Sequence, residues 1–288
     1  MHFLHKFLAW TRRPNKSTLA QYVETIVVIV PIAFVIRTFG YGLYQVPTGS
    51  METTLLVGER FFADKFTVLF KEIQHGDIIA LNSPVYDYSD NYFINLFQRY
   101  VYGPENWTKR VIGLPGDHIQ GIVEDGRPVV YRNGQKLDEP YLNKYPLLTI
   151  YHDGTFYHRS YNASFSYEDQ PFYTMDSIDV QLAQRYLAKI GEEQLLMPYT
   201  PTIVNGRNVD EFDVHLEPNQ IWAMGDNRKG SADSRYFGPF DKQLIHGKIV
   251  FRLYSIDSYD SWAITDLLLH PIDFWKRVRW SRCLQFVQ

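Results

Sequence analysis

The stretch Val46-Pro47-Thr48-Gly49-Ser50-Met51-Glu52-Thr53-Thr54-Leu55 places a serine hydroxyl on a bend. Pro47 fixes its own φ and pushes Val46 towards extended geometry, and Gly49 allows a sharp turn just before Ser50. The hydroxyl is thus presented on a stiff loop, although the same residue types also build ordinary surface turns. A serine becomes a nucleophile only with a base beside it, and a lysine can be that base only when its amine is neutral at working pH. Burial supplies this, because desolvation disfavours the ammonium and can lower a lysine pKa by up to about 3 to 5. Lys109 has a suitable neighbourhood: Trp107-Thr108 precede it and Val111-Ile112 follow Arg110, so alternate residues of a strand could enclose it. Strand alternation would send Lys109 and Arg110 to opposite faces, one into a site and the other onto an acid. The plainer alternative is an exposed lysine on a strand.

Two further stretches share this mixture of glycines and charges. They are His75-Gly76-Asp77-Ile78-Ile79-Ala80-Leu81 and Gly225-Asp226-Asn227-Arg228-Lys229-Gly230-Ser231-Ala232-Asp233-Ser234-Arg235. Together with the Ser50 loop and Trp107 to Asp117, they resemble the boxes of the type I signal peptidases, leader peptidases that cut secretory signal peptides with a serine and a lysine. The four segments stand in the family's order and the resemblance extends upstream into an anchor, leaving roughly residues 120 to 215 unmatched.

The resemblance implies that Ser50 is the acylating nucleophile, Lys109 the general base and Ser231 a hydrogen-bond partner that orients the lysine. It implies that Thr48 and the backbone N–H of Ser50 form the oxyanion hole, and that Asp226, Asp233 and Arg235, with Arg110 or Arg228, form a salt-bridge network beneath the site. Shallow pockets for small side chains before the cut would be lined by Val46, Pro47, Met51, Leu55, Phe61, Trp107 and Thr108. The sequence departs from the family twice. Thr48 stands where serine is common, which keeps a hydroxyl but restricts χ1. Met51-Glu52-Thr53-Thr54 replaces the usual Met-x-Pro-Thr, which puts loop rigidity in question.

These residues need elements to hold them. The implied fold is mostly β: a membrane-anchored antiparallel β catalytic domain with an inserted smaller β-rich subdomain and one N-terminal transmembrane helix. Before Val23 the charged groups are Lys6, Arg12, Arg13 and Lys16, with no acid, as in a cytoplasmic flank. An uncharged run from Thr25 to Ile36 follows, and a spanning helix must extend from near Leu19 to Tyr44 with Arg37 snorkelling. A cleaved signal peptide is the rival reading, but no Ala-x-Ala-like site follows Ile36. The expected layout is an arm at 1–18, an anchor at 19–44, catalytic parts at 45–140 and 219–260, an insert at 141–218 and an amphipathic tail at 261–288. Strands are expected around Leu55 to Asp64, Ile78 to Leu81, Val111 to Leu137, Gln220 to Met224 and Gly247 to Leu253. Gly76-Asp77 marks a tight turn, and Asp125-Gly126 and Asn133-Gly134 mark hairpins. Residues 82–104 show no clear period, and a helix is expected from Ser177 to Ile190. The tail from Ser261 reads equally as an interfacial helix on lipid or as a helix packed on its own domain, interrupted by Pro271.

Composition excludes other classes. The 288 residues carry a net charge of −3, so a polyanion-binding surface is not indicated and nucleic acid is not an expected partner. Cys283 is the only cysteine, which rules out an intramolecular disulfide and a cysteine-based metal site. The histidines show no ligand spacing such as H-E-x-x-H, so no metal and no cofactor are expected. S-x-x-K, G-x-S-x-G and nucleotide-binding glycine loops are absent. The expected partners are the signal peptides of secretory preproteins and membrane lipid, and a monomer is expected. Asn106-Trp107-Thr108 is a glycosylation sequon abutting Lys109, which disfavours the endoplasmic reticulum. The expected place is a bacterial plasma membrane with the N-terminus cytoplasmic and the catalytic domain outside. The alternatives are a self-cleaving repressor-type protease with the same dyad, which the anchor contradicts, and an inactive membrane-anchored scaffold.

Overall fold

The computed structural model describes residues 17–52, 54–124, 127–142, 149–152, 155–158, 203–204, 206–256 and 263–287. Most of the expected arm, the turn at Asp125-Gly126 and the expected helix from Ser177 to Ile190 lie outside them.

Helix α1 (Thr18–Val35) contains Pro31 and continues through a π turn (Ile36–Gly40). Residues Gln21–Gly40 have a mean hydropathy of 1.9 and none of that stretch is buried among the described residues, so by length and composition the helix is able to cross a membrane. Residues 41–44, expected to belong to the span, are instead strand β1 (Tyr41–Gln45), paired with β2 (Glu59–Asp64) from Tyr41↔Asp64 to Gln45↔Arg60. The helix stops there because Gly40 leads into an extended Tyr41, and β2 offers the backbone partners that the helix would otherwise supply.

The larger sheet adds β3 (Ile78–Asn82), β4 (Asn106–Gly113), β13 (Gln220–Met224), β14 (Phe240–Asp241), β15 (Ile245–Ser255) and β16 (Gln285–Phe286). Its order is β1-β2-β15-β3-β4-β13-β14, with β16 on β15, and every pairing is antiparallel. The second sheet runs β12-β5-β6-β7, from Phe212–His215, His118–Glu124, Arg127–Arg132 and Gln135–Lys136. Short hairpins β8-β9 (Thr149–His152, Thr155–His158) and β10-β11 (Ile203–Val204, Arg207–Asn208) stand apart. Strand β12, expected within the insert, therefore joins the second sheet through β5.

Local chemistry explains the turns. Gly76 has φ +84° just before β3, and Asn133 and Gly134 both take positive φ between β6 and β7, which suits a two-residue hairpin. Residues 82–104 contain an unexpected helix α2 (Tyr92–Tyr100). Asn91 starts it by accepting from Phe93 N and Ile94 N, a cap that periodicity alone does not reveal.

Alternation along β3 serves two cores. Ile78 and Ala80 join Val46, Met51, Leu55, Phe61, Ala63 and Ile249, while Ile79 and Leu81 join Val111, Ile221, Ala223, Phe240, Leu244 and Ile245. Ile112, Trp222 and Met224 of the larger sheet meet Ile119 and Val130 of the second. The tail packs down: Phe274 and Val278 are buried with Ile256, and Pro271 separates the helices α4 (Ala263–Leu269) and α5 (Pro271–Arg277), α3 being the short Ser234–Phe237. On its other side Leu268, Leu269, Ile272 and Trp275 are exposed.

Candidate active site

Ser50 sits in a single 3-10 turn (Gly49–Met51) entered from an extended Thr48. A Cβ at Gly49 would lie 2.7–2.8 Å from the carboxyl group of buried Glu52, so any larger residue there would have to displace that side chain. The turn is pinned from the Gly225–Arg235 segment: Asn227 N donates to Ser50 O at 3.1 Å and Asn227 Nδ2 donates to Gly49 O at 3.0 Å. Gly225 lets the two segments meet, since a Cβ on it would lie 2.3 Å from Ser231 Oγ and 2.5 Å from Ser50 O.

Strand β4 supplies the amine. Register pairs Lys109 with Ile79 and Arg110 with Ile78, so the two cations leave opposite faces. Lys109 is 4% exposed, and its Nζ donates to Ser50 Oγ at 3.1 Å while lying 5.7 Å from the centre of the Trp107 ring. Burial lowers its pKa to about 8, against the opposing pull of Asp233 and with the help of Arg235. No carboxylate forms a salt bridge with Lys109 among the described residues, and that is why burial prevails.

Arg110 meets the opposite fate. It binds Asp226 through Nε at 2.9 Å and Nη2 at 2.8 Å, donates to Gly76 O at 2.9 Å and stacks 4.0 Å from the Tyr141 ring centre. Thr54 Oγ1 donates to the same Asp226. Arg235 forms a second buried pair, with Asp233 through Nε at 2.9 Å, and reaches Asp210 at 2.7 Å. Burial alone would raise the Asp233 carboxyl, but Arg235 and the Gly225 N–H hold it below the usual carboxylate range. Arg228 pairs with Glu139 rather than with either aspartate.

The expected site residues divide into three groups. Ser50, Lys109, Ser231, Asp226, Asp233, Arg235 and Arg110 converge, all buried. Ser231 Oγ touches the Gly225 backbone region but has no hydrogen-bond partner, so the bond to Lys109 expected from the resemblance is not made in this conformation. Among the expected pocket residues, Val46, Met51, Leu55 and Phe61 belong to one core cluster; Leu55 and Phe61 are fully buried. Trp107 packs in the other cluster beside Phe237, Thr108 is half-buried, and Pro47 and Thr48 are exposed.

Sequence reasoning missed several contributors. Asn227 and Gly225 lie within the Gly225–Arg235 stretch, and their place among its charged residues is their only signal in the sequence. Glu59 was missed outright. It is fully buried, accepts from Arg252 Nε at 2.8 Å, Arg282 Nε at 2.6 Å and Ser255 Oγ at 2.9 Å, and so ties the tail beneath the nucleophile loop. Arg252 and Arg282 also donate to Thr54 O. Linear spacing also hid a group that could hold a metal ion. His118 and His215 are cross-strand partners with rings stacked at 3.8 Å, and Asp213 completes a trio whose ligand atoms lie within 4.8 Å of one another.

A serine and a buried, partly neutral amine in contact can perform acyl transfer. The family model described as "Signal peptidase, peptidase S26" matches residues 19–254. The chain belongs to the signal peptidase family. Among curated relatives, Signal peptidase I of Buchnera aphidicola subsp. Schizaphis graminum is 29% identical over 253 residues, covering 81% of this chain and 74% of that protein. Signal peptidase I S of Bacillus subtilis is 28% identical over 244 residues, covering 84% and 93%. A "Probable signal peptidase I-2" of Synechocystis is 31% identical over 243 residues, covering 84% and 77%. As a signal peptidase, the chain is a serine endopeptidase, and its N-terminal apolar helix fits membrane anchoring.

Proposed function

We propose that the chain removes signal peptides from exported preproteins by a Ser50–Lys109 dyad and an acyl-enzyme. The observation that carries this reading is the 3.1 Å contact between Lys109 Nζ and Ser50 Oγ in a buried setting. Neutral Lys109 takes the Ser50 proton as Oγ attacks the scissile carbonyl carbon. The resulting ammonium gives that proton to the leaving amine, and the neutral amine then activates water to release the acyl group. Charge on the carbonyl oxygen is met by the Ser50 N–H and the Thr48 hydroxyl. Arg110–Asp226 and Arg235–Asp233 hold β4 and the Gly225 segment so that the amine and hydroxyl stay in register. Small residues at the first and third positions before the cut would lie along the exposed Pro47–Thr48 side of this loop, since Val46, Met51, Leu55 and Phe61 are packed in the core.

The helix α1 tethers the enzyme beside membrane-held leader peptides and raises their effective concentration. The basic flank before Leu19 orients the N-terminus to the cytoplasm and the catalytic domain to the outside. Incubation with a purified preprotein tests the reading: wild type should cleave after the Ala-x-Ala-like site and Ser50→Ala should not. Activity should rise with pH with a midpoint near pH 8, where half of Lys109 is neutral, and level off about one to two pH units higher, because only the unprotonated amine accepts a proton. A flat profile between pH 6 and pH 10 would remove Lys109 as the base. Protease added to the cytoplasmic face should clip only the arm and spare the catalytic domain.

A further inference from the structure

At the foot of the membrane helix lies a cavity of about 220 Å³ whose lining includes Arg37, Tyr44, Lys65, Asn82, Arg99 and His246, and no acidic residue. Its cations have no carboxylate partner among the described residues. Lys65 Nζ donates to Arg37 O at 3.0 Å and lies 5.5 Å from the centre of the Tyr44 ring, and Arg99 Nη1 donates to Gln243. Burial, and then the proximity of Arg37, holds the Lys65 ammonium below its ordinary range. Arg99 Nε and His246 Nε2 lie buried behind its wall, without a hydrogen-bond partner and closed off from the cavity itself.

The His246 ring packs beside the Tyr44 ring at one wall of this cavity. Tyr44 Oη lies 2.9 Å from Nδ1, and burial with Lys65 nearby keeps the ring neutral, its pKa pushed down to about 3. Nδ1 shares its hydrogen bond with the Tyr44 hydroxyl, and Nε2 is buried without a partner. Gathering three cations around one cavity without a carboxylate costs stability unless an anion with several acceptor oxygens joins them.

We propose that this cavity binds a phosphate group, carried by the headgroup of an anionic phospholipid. A phosphate offers several acceptor oxygens and one or two negative charges, which match the guanidinium and ammonium donors of Arg37, Arg99 and Lys65. The place favours a lipid source. Arg37 and Thr38 belong to the turn that ends the apolar helix, and Phe39 touches Tyr100 with ring centres 6.1 Å apart. Tyr100 and Tyr102 are exposed beside them, as aromatic side chains are at the level of headgroups. The lipid source rests on the membrane reading of α1, whereas the anion site itself does not.

The test uses the full chain in nonionic micelles, titrated calorimetrically with dihexanoyl phosphatidylglycerol, dihexanoyl phosphatidylcholine and inorganic phosphate. Phosphatidylglycerol should bind saturably, with phosphatidylcholine at least about tenfold weaker because its choline meets three cations, and inorganic phosphate weaker still. Lys65→Gln and Arg99→Gln should each weaken phosphatidylglycerol about tenfold, as loss of one charge-assisted bond predicts. Without lipid, Lys65→Gln should raise the melting temperature by relieving repulsion with Arg37, and it should lose most of the rise that phosphatidylglycerol gives the wild type. A destabilised Lys65→Gln with unchanged lipid affinity would make the lysine merely structural and overturn the proposal. Equal binding of the two lipids would overturn it as well. Inorganic phosphate binding as tightly as phosphatidylglycerol would reassign the cavity to a soluble anion, overturning the lipid source while leaving the peptidase reading intact.

Discussion

Lys109 and Arg110 are adjacent on β4, equally buried at 4% exposure, and the structure treats them in opposite ways. Arg110 receives a bidentate carboxylate, a carbonyl and an aromatic face, and it is held as a permanent cation. Lys109 receives a hydroxyl and an indole, with both aspartates of the neighbourhood engaged by arginines. The difference teaches how a fold makes a base from a lysine. It must bury the amine and supply carboxylates to everything nearby except that amine, so that desolvation is not cancelled.

The largest expected effect comes from removing the uncompensated cation. Lys109→Met should abolish turnover, a loss of at least about 10⁴-fold, with the fold retained. The same substitution should stabilise the protein at neutral and acidic pH. The folded-state pKa of Lys109 is depressed, so the protein's stability carries a penalty that is full below about pH 8 and fades as the pH rises towards the unfolded value. Burial is complete here, and the penalty is on the order of 3 kcal/mol. Denaturant midpoints of wild type and variant should therefore differ at pH 6 and converge near pH 11. A variant less stable at pH 6 would show that Lys109 is paired after all.

On the opposite face, breaking the compensated cation should have the reverse sign. Asp226→Asn leaves the Arg110 guanidinium buried without its anion and should cost about 3–5 kcal/mol of stability, with activity lost in proportion to unfolding. Chemical denaturation measures it, and a loss below 1 kcal/mol would mean that Gly76 O and Tyr141 alone satisfy Arg110.

Thr48 sharpens the comparison at the hydroxyl end of the dyad. Its side chain makes no cap bond within the turn, which leaves it available to a developing oxyanion. Thr48→Val should lower kcat about 10²- to 10³-fold with KM little changed, while Thr48→Ser stays active. If Val retains activity and Ala does not, the residue packs against substrate rather than donating.

The smallest effect is expected at Ser231. Its buried hydroxyl lacks a partner, so Ser231→Ala should leave stability unchanged or slightly raised. A drop of about tenfold in kcat/KM, together with a shifted pH midpoint, would assign it to orienting Lys109 once substrate is bound. An unchanged pH profile would leave it as filler between Gly225 and the Ser50 loop.

Much of this was legible in the sequence because the information was local. Pro47 and Gly49 specify a stiff turn before Ser50, Gly76 and Asn133-Gly134 specify turns by their tolerance of positive φ, and Pro271 divides the tail. Apolar alternation marks the strands, and the run after Val23 marks a helix that no other described part of the protein covers. The sequence alone also orders reactive residue types along the chain, which is enough to recognise a family. Only the tertiary structure decides which acid goes to which cation. Arg228 turns to Glu139, Arg235 to Asp233 and Asp210, and Arg110 to Asp226, across separations that no periodicity encodes. It alone brings Arg252 and Arg282 onto Glu59, and His118 onto His215. The physical reason is that pairing and burial depend on sheet register and strand order, properties of the assembled chain, and the reactivity of Lys109 is set by just those properties.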